Sequence, residues 1–260
     1  MNIQITNSVK AEIFSSIFQH MKLFTESINI MFEPGRMFIQ AMDSARVSIV
    51  EMYLPADWFD KYENTKGGTV TLGINTTIMF KVLSTRDKIQ SILLNYDMNQ
   101  SDKLGLEFKS ESKAVFNKNF EIPLMDLDEE MMEIPTMDYQ AEFSLPSANF
   151  ASLVNQMKLF GDTLQFECSE DKIQMSAVSL DVGKMNVNIP IDDLNSFAIE
   201  EGENLDLSFS ITHLSSICAY SKIAKDIDIC ITNNYPIRLT YLLNDTGAKF
   251  VFYLAPKISD

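Results

Sequence analysis

Two aspartate pairs, Asp126 with Asp128 and Asp226 with Asp228, carry the most specific chemistry that spacing suggests in this 260-residue chain. A D-x-D pair on a strand turns both carboxylates to one face, where they could hold a divalent metal for phosphoryl transfer. The rest of a two-metal site is not visible beside either pair. Solvated carboxylates are therefore the favoured reading, and a metal-dependent nuclease is the remote alternative. His20 and His213 fall in helical segments with no ligand set around them. Gly67-Gly68 reads as a hairpin turn and lacks the Lys-Ser/Thr sequel of a phosphate loop. The three cysteines, Cys168, Cys218 and Cys230, show no metal-ligand spacing and read as free, mostly buried thiols of a reducing compartment. No H-E-x-x-H, G-x-S-x-G or C-x-x-C occurs, so neither catalysis, a bound metal nor a cofactor is expected.

The elements that would carry these residues are mostly short strands. Leu205, Leu207, Phe209 and Ile211 alternate with polar residues, as do Ile227, Ile229 and Ile231, and Met185, Val187 and Ile189. Period two marks half-buried antiparallel strands. Four segments have helical spacing instead: residues 9–24, 75–86, 147–160 and 211–225. Hydrophobic residues make up 46% of the chain and charged residues 22%, enough for a packed core. No run reaches the roughly 18 apolar residues needed to span a bilayer, and no signal peptide is expected at the N-terminus. Most of the 15 methionines read as core filler.

The first and third helices end in the same four residues, Met21-Lys22-Leu23-Phe24 and Met157-Lys158-Leu159-Phe160. At that offset of 136, Ile28 and Ile30 answer to Leu164 and Phe166, Ala41 answers to Ala177, and the second helix falls on the fourth. The chain therefore reads as two copies of one α+β module, residues 1–116 and 137–260. Residues 117–136 join them, an acidic stretch punctuated by Pro123 and Pro135 with no sustained period, which reads as an exposed linker.

The formal net charge is −15, which by itself argues against nucleic acid. The charge is uneven, however. The four helical segments hold Lys10, Lys22, Lys81, Arg86, Lys158, Lys222 and Lys225 against Glu12 alone, a balance of +6, and the remaining 14 bases and 35 acids leave −21. Surface helices ordinarily mix Glu with Lys. Helices stripped of acids in an acidic protein point to a shared polyanion, held by loose phosphate contacts that ignore base sequence.

Several strings then resemble the DNA sliding clamps of the proliferating cell nuclear antigen (PCNA) family: Gln40-Ala41-Met42-Asp43-Ser44-Ala45-Arg46-Val47-Ser48, Leu124-Met125-Asp126-Leu127-Asp128, Ile134-Pro135, Leu145-Pro146-Ser147-Ala148-Asn149-Phe150, Gly161-Asp162 and Tyr253-Leu254-Ala255-Pro256-Lys257-Ile258. Each is short, but their order spans the chain. The resemblance implies an α+β DNA clamp fold, a homotrimeric ring with helices lining the hole, and a processivity factor for DNA polymerase. It implies duplex DNA as a sequence-independent partner, contacted by Lys10, His20, Lys22, Lys81, Arg86, Lys158, Lys222 and Lys225. It implies a groove for the peptide motif of polymerase, clamp loader and other client proteins, walled by Met42, Val47, Ile49, Met132, Ile134, Pro236, Tyr253, Ala255 and Pro256. It also implies a subunit contact between a strand around 103–109 (Leu104, Leu106, Phe108) and one around 183–189 (Met185, Val187, Ile189).

The chain departs from the family where basic positions of the inner helices are neutral: Ser84, Ser152, Asn155, Leu159 and Ala219. The lysine to which ubiquitin attaches in eukaryotic relatives aligns with Glu170. A subunit of a heteromeric, checkpoint-type clamp is the alternative assembly. The expected setting is the nucleus, or a viral replication site in an infected cell.

Overall fold

Alternating apolar and polar residues drive one face of a strand into a core. Strands of this kind dominate the computed structural model, which describes residues 1–64, 67–97, 102–128, 131–243 and 246–257. Two compact units share the chain: Met1–Ser44 with Glu51–Met132 form the bulk of the first, and Ala45–Val50, Glu133–Leu243 and the residues from Lys249 onward form the second. Glu129 and Glu130 of the expected linker, and Ile258 of the C-terminal string, lie outside the described residues.

In the first unit β1 (Asn2–Ile5), β2 (Ser27–Glu33), β3 (Arg36–Met42), β4 (Ser48–Pro55), β5 (Lys61–Glu63), β6 (Val70–Asn75), β7 (Ser91–Asn95), β8 (Lys103–Lys109) and β9 (Lys118–Pro123) run in the orders β5-β1-β7-β8-β9 and β4-β3-β2-β6. In the second, β10 (Ala141–Pro146), β11 (Thr163–Cys168), β12 (Ile173–Ser179), β13 (Gly183–Ile189), β14 (Ser196–Ile199), β15 (Leu205–Ser210), β16 (Asp226–Ile231), β17 (Ile237–Leu242) and β18 (Lys249–Leu254) run β14-β10-β16-β17-β18 and β13-β12-β11-β15. The two lists correspond strand for strand, which makes the sequence repeat a repeat of topology.

The helices are α1 (Ser8–Phe24), α2 (Thr76–Leu83), α3 (Ser147–Met157) and α4 (Ile211–Cys218). Helix α1 packs on α2, and α3 on α4. Asn7 caps α1 by accepting from the backbone N–H of Val9 and Lys10, and Ala11, Phe14, Ile17, Phe18, Met21 and Phe24 form its buried stripe. The Asp60 carboxylate steadies the same helix entry, accepting from the N–H of Thr6 at 2.5 Å and of Asn7 at 3.1 Å. Burial alone would raise that carboxyl, but these amides, the Thr6 hydroxyl and the Lys10 ammonium hold it below its ordinary range.

Three helices end sooner than their apolar spacing predicts. After α2, the hydroxyls of Ser84 and Thr85 donate back to the carbonyls of Lys81 and Val82, and the chain tightens with Arg86 N–H on the Leu83 carbonyl. Helix α3 stops at Met157 rather than 160. Helix α4 gives way at Ala219 to a 3₁₀ turn through Lys222, which seats the Tyr220 ring 5.0 Å from both Phe250 and Phe252. The segment read as linker likewise opens with a strand. β9 pairs along β8, its Ile122 is buried, and its Phe120 ring lies 5.5 Å from Phe108. Beyond β9, the Met125 N–H donates to the Gly73 carbonyl at 2.8 Å. Gly73 is required there, because a Cβ would sit 2.3 Å from the Met125 carbonyl oxygen.

Arg86 fastens the α2 exit to α1. Its side chain is 2% exposed, and its guanidinium donates to Glu12 Oε2 (2.8 Å), to the carbonyls of Gln90 (2.9 Å), Asp87 and Lys88 (3.2 Å each), and to Ser15 Oγ. Arg86→Ala leaves three carbonyls without their donor and should lower unfolding stability by about 2–3 kcal/mol, read as a shifted denaturant midpoint. An unchanged midpoint would show that the network contributes nothing net.

All three cysteines are free and buried. Burial pushes their thiols up to about 11 for Cys168 and Cys230 and to about 12 for Cys218. At pH 8 a thiol of this kind is thiolate about one part in a thousand. A thiol reagent should therefore label the folded protein far more slowly than the urea-unfolded chain, and prompt labelling of the folded form would contradict the burial.

Candidate nucleic-acid and partner interfaces

The expected phosphate contacts divide into free and occupied groups. Lys81 on α2 is exposed, as are Lys158, which caps the end of α3, Lys222, which ends the 3₁₀ turn after α4, and Lys225 beyond it. Lys22 lies back on its own unit, its Nζ 3.9 Å from the centroid of Phe80. Lys10 reaches over Trp58 at 5.8 Å. His20 is half-buried on α1. Arg86 is drawn inward: its side chain is 2% exposed and its guanidinium is paired with Glu12 and donates to carbonyls of the 87–90 turn, so little of it faces solvent. The +6 balance survives this pairing, because Arg86 and Glu12 cancel.

The expected groove residues share one property: none is fully buried. In the second unit Val47, Ile49, Ile134, Pro236, Tyr253, Ala255 and Pro256 are half-buried or exposed, although the strands around them are packed. β17 and β18 pair as far as Ile237 with Leu254, which brings Pro236 and Ala255 to the same end of the ladder. The Ala255 N–H donates to the Val47 carbonyl at 2.9 Å, adding the Ala45–Val50 segment beside them. Arg46 turns that segment with φ of 58°, a left-handed conformation uncommon outside glycine. Met42 and Met132 are half-buried in the first unit. There the Gln40 side chain clasps Met132, accepting from its N–H at 2.7 Å and donating to its carbonyl at 2.9 Å.

The expected subunit contact is half corrected. β13 does end its sheet, with Met185 and Val187 half-buried and Ile189 buried. β8 does not: it lies between β7 and β9, and Leu104, Leu106 and Phe108 are 0% exposed core residues. The strand that ends this sheet is β9. Its alternation of Phe120 and Ile122 was the available signal, masked by Pro123 and the acids that follow. Exposed hydrocarbon sits beside both ends: Phe116, 86% exposed, just before β9, and Leu180, fully exposed, between Val178 and Val182 at the β12–β13 turn. Nothing in residue type alone distinguished these four from core.

Among the described residues no three His, Cys, Asp or Glu side chains converge on a common point. Asp126 and Asp128 are exposed, and Asp226 accepts from Asn195 Nδ2 at 2.9 Å. The Glu170 carboxylate accepts from the Gly202 N–H at 2.8 Å.

Comparison with known proteins agrees with this geometry. The family model of the PCNA N-terminal domain matches residues 6–131, and that of the C-terminal domain matches residues 133–257. A protein described as proliferating cell nuclear antigen from Chaetomium thermophilum is 28% identical over 257 residues, 96% of each chain. One described as proliferating cell nuclear antigen 2 from Drosophila melanogaster is 28% identical over 222 residues, 85% of each. With both domain models laid end to end along a duplicated α+β chain, the protein belongs to the PCNA family of DNA sliding clamps, the processivity factors of DNA replication, as a divergent member.

Proposed function

We propose that three copies of this chain close head to tail into a ring around duplex DNA, and that the ring carries polymerase and other client proteins without catalysing a reaction itself. The observation that carries this reading is a pair of unlike, unpaired sheet ends in one chain, β9 and β13, each beside exposed hydrocarbon. Two different edges that complement each other give a heterologous contact, which makes a closed ring when the rotation closes. Pairing β9 with the β13 of a second copy would satisfy both sets of backbone groups and cover exposed hydrocarbon beside them. The relatives come from a fungus and a fly, so the nucleus is the proposed setting.

Client proteins dock through a short peptide of the form Gln-x-x-aliphatic-x-x-aromatic-aromatic. In the second unit Ile134, Tyr253, Pro236 and Val47 offer an apolar surface that is partly open to solvent, as such a helical turn with aromatic anchors requires. DNA is held loosely. Lys81, Lys158, Lys222 and Lys225 are the lysines free to meet phosphate, and the ring's topology does the retaining.

Phe116→Asp tests the assembly without touching the core, since the side chain is 86% exposed. Sedimentation over a concentration series should give three copies for the wild type and one for the variant; a variant that stays trimeric removes β9 from the contact. A clamp subunit that assembles only with unlike relatives would sediment as a monomer even as wild type. Ile134→Ala should weaken the client peptide by about 1–3 kcal/mol, measured by calorimetry. Unchanged affinity with the fold intact would move the docking surface elsewhere.

A further inference from the structure

One face of the β14-β10-β16-β17-β18 arrangement carries a row of side chains that crosses its strands. Residues directly opposite each other on neighbouring strands share a face. Tyr253 on β18 is opposite Arg238 on β17, Arg238 is opposite Cys230 on β16, and Cys230 is opposite Glu142 on β10. Ile237, Leu239 and Tyr241, the alternate residues of β17, are buried in the core on the other face. The row therefore begins at Tyr253, a residue of the expected groove, and its second member is the one base in β10, β16 and β17. Every residue of the row belongs to the second unit.

The Arg238 guanidinium is held in place but poorly neutralised. Its Cζ lies over the Tyr139 ring, 4.5 Å from the centroid. Its Nη2 donates to Cys230 Sγ at 3.0 Å. That sulfur is a thiol, because burial pushes it up to about 11, so it supplies an acceptor and no charge. The carboxylate that reaches the group, Glu142 Oε1, stands 3.5 Å from Nη2, against about 2.8 Å for a well-formed charge-assisted bond. Glu142 is 54% exposed, and an ion pair so placed is screened and contributes little. Arg238 Nε is enclosed and has no acceptor among the described residues, a state that costs stability. The side chain as a whole is 33% exposed. A guanidinium presents a planar fork that takes a carboxylate on two parallel N–H groups, and here that fork is unfilled beside an aromatic docking residue.

We propose that Arg238 is a specificity-determining contact of the docking surface, taking a carboxylate that the client peptide carries next to its aromatic pair. The proposal rests on the docking reading given under Proposed function. Ile134, Pro236 and Val47 offer apolar contact to any peptide of that form, and Arg238 sorts among such peptides by charge. An aspartate or glutamate arriving beside Tyr253 displaces the long contact with Glu142, draws closer to the guanidinium and gives Nε an acceptor. Glu142 is the competitor within the chain. It pairs with Arg238 while the surface is empty and turns to solvent when a peptide carboxylate arrives. The formal charge of −15 does not forbid an acidic peptide, because charges beyond about 10 Å are screened and the nearest base decides.

Calorimetry on the full chain tests this with C-terminally amidated peptides of the Gln-x-x-aliphatic-x-x-aromatic-aromatic form. Each carries Asp, or Asn as its neutral twin, at one of the positions flanking the aromatic pair, so that a side chain is the only carboxylate varied. At low salt an Asp peptide should bind about tenfold more tightly than its Asn twin, and the ratio should shrink as salt rises. Arg238→Gln should bring the ratio to about one, and Arg238→Lys, which keeps the charge without the fork, should retain part of it. Glu142→Gln leaves the base in place and should raise the ratio, a reading that stands even where Arg238→Gln fails to fold. A wild-type ratio near one at every position, with Ile134→Ala still weakening the Asn peptides, overturns the role of Arg238 and leaves the docking surface standing. A preference that survives Arg238→Gln, or that does not rise in Glu142→Gln, overturns that role as well. Binding of no peptide, or binding indifferent to Ile134→Ala, overturns the docking surface and the role of Arg238 with it.

Discussion

A strand at the end of a sheet leaves backbone N–H and C=O groups without protein partners, and in this chain that constraint organises the rest. Duplication of one module gives two five-stranded and two four-stranded arrangements with matching orders. By these orders β9 answers to β18 and β13 answers to β4, so β9 and β13 end their sheets at unlike places in the repeat. β9 ends its sheet next to Phe116, and β13 ends its sheet behind an apolar turn at Leu180. Edges elsewhere in proteins are blunted by charge, proline or cover. Apolar residues beside an open edge favour pairing with another chain, even where, as in β9, the strand itself carries Lys118, Glu121 and Pro123.

The interior shows why those ends can be held rigidly. Arg86 binds the exit of α2 to Glu12 and Ser15 on α1 and to the 87–90 turn, and Gln90 extends the network by donating to the Phe116 carbonyl at 2.8 Å. Lys118, at the start of β9, donates to the Thr85 carbonyl and pairs with Asp87 at 2.7 Å. A basic residue that charge counting assigns to DNA thus serves the approach to the sheet end. Buried guanidinium is costly to desolvate, and burial indeed lowers its proton affinity despite Glu12 and Asp87. Several carbonyl acceptors at once offset that cost.

The fold was legible to the extent that periodicity and the repeat carried it. Period-two runs marked β13, β15 and β16, and the Met-Lys-Leu-Phe duplication fixed the correspondence of α1 with α3. What stayed hidden was decided by single side chains. Tyr220 ends α4 early because its ring fills a place between Phe250 and Phe252, and an apolar spacing pattern does not foresee a 3₁₀ turn. β9 was obscured because Pro123 and its acidic neighbours look like linker, although Ile122 is buried as deeply as any core residue. For the sites, composition separated helices from sheets by charge, but not the exposed Lys81 from the enclosed Arg86. That distinction depends on where the chain turns after Leu83, which is tertiary information.

Charge and topology make different demands on a protein that must stay on DNA without stopping on it. A ligand held by contact alone needs strong phosphate neutralisation, and so accepts a steep dependence on salt and a rough path along the duplex. A closed ring transfers retention to the subunit contacts, where apolar burial is insensitive to salt, and frees the inner surface from binding tightly. Among the described residues the most exposed large apolar side chains, Leu180 and Phe116, sit beside the sheet ends, whereas the helices expose Val9, Leu23 and Ile78 among amides and hydroxyls, with few free bases. Neutral side chains such as Ser152 and Asn155 on α3 are compatible with such a ring, provided the edges at β9 and β13 hold it closed.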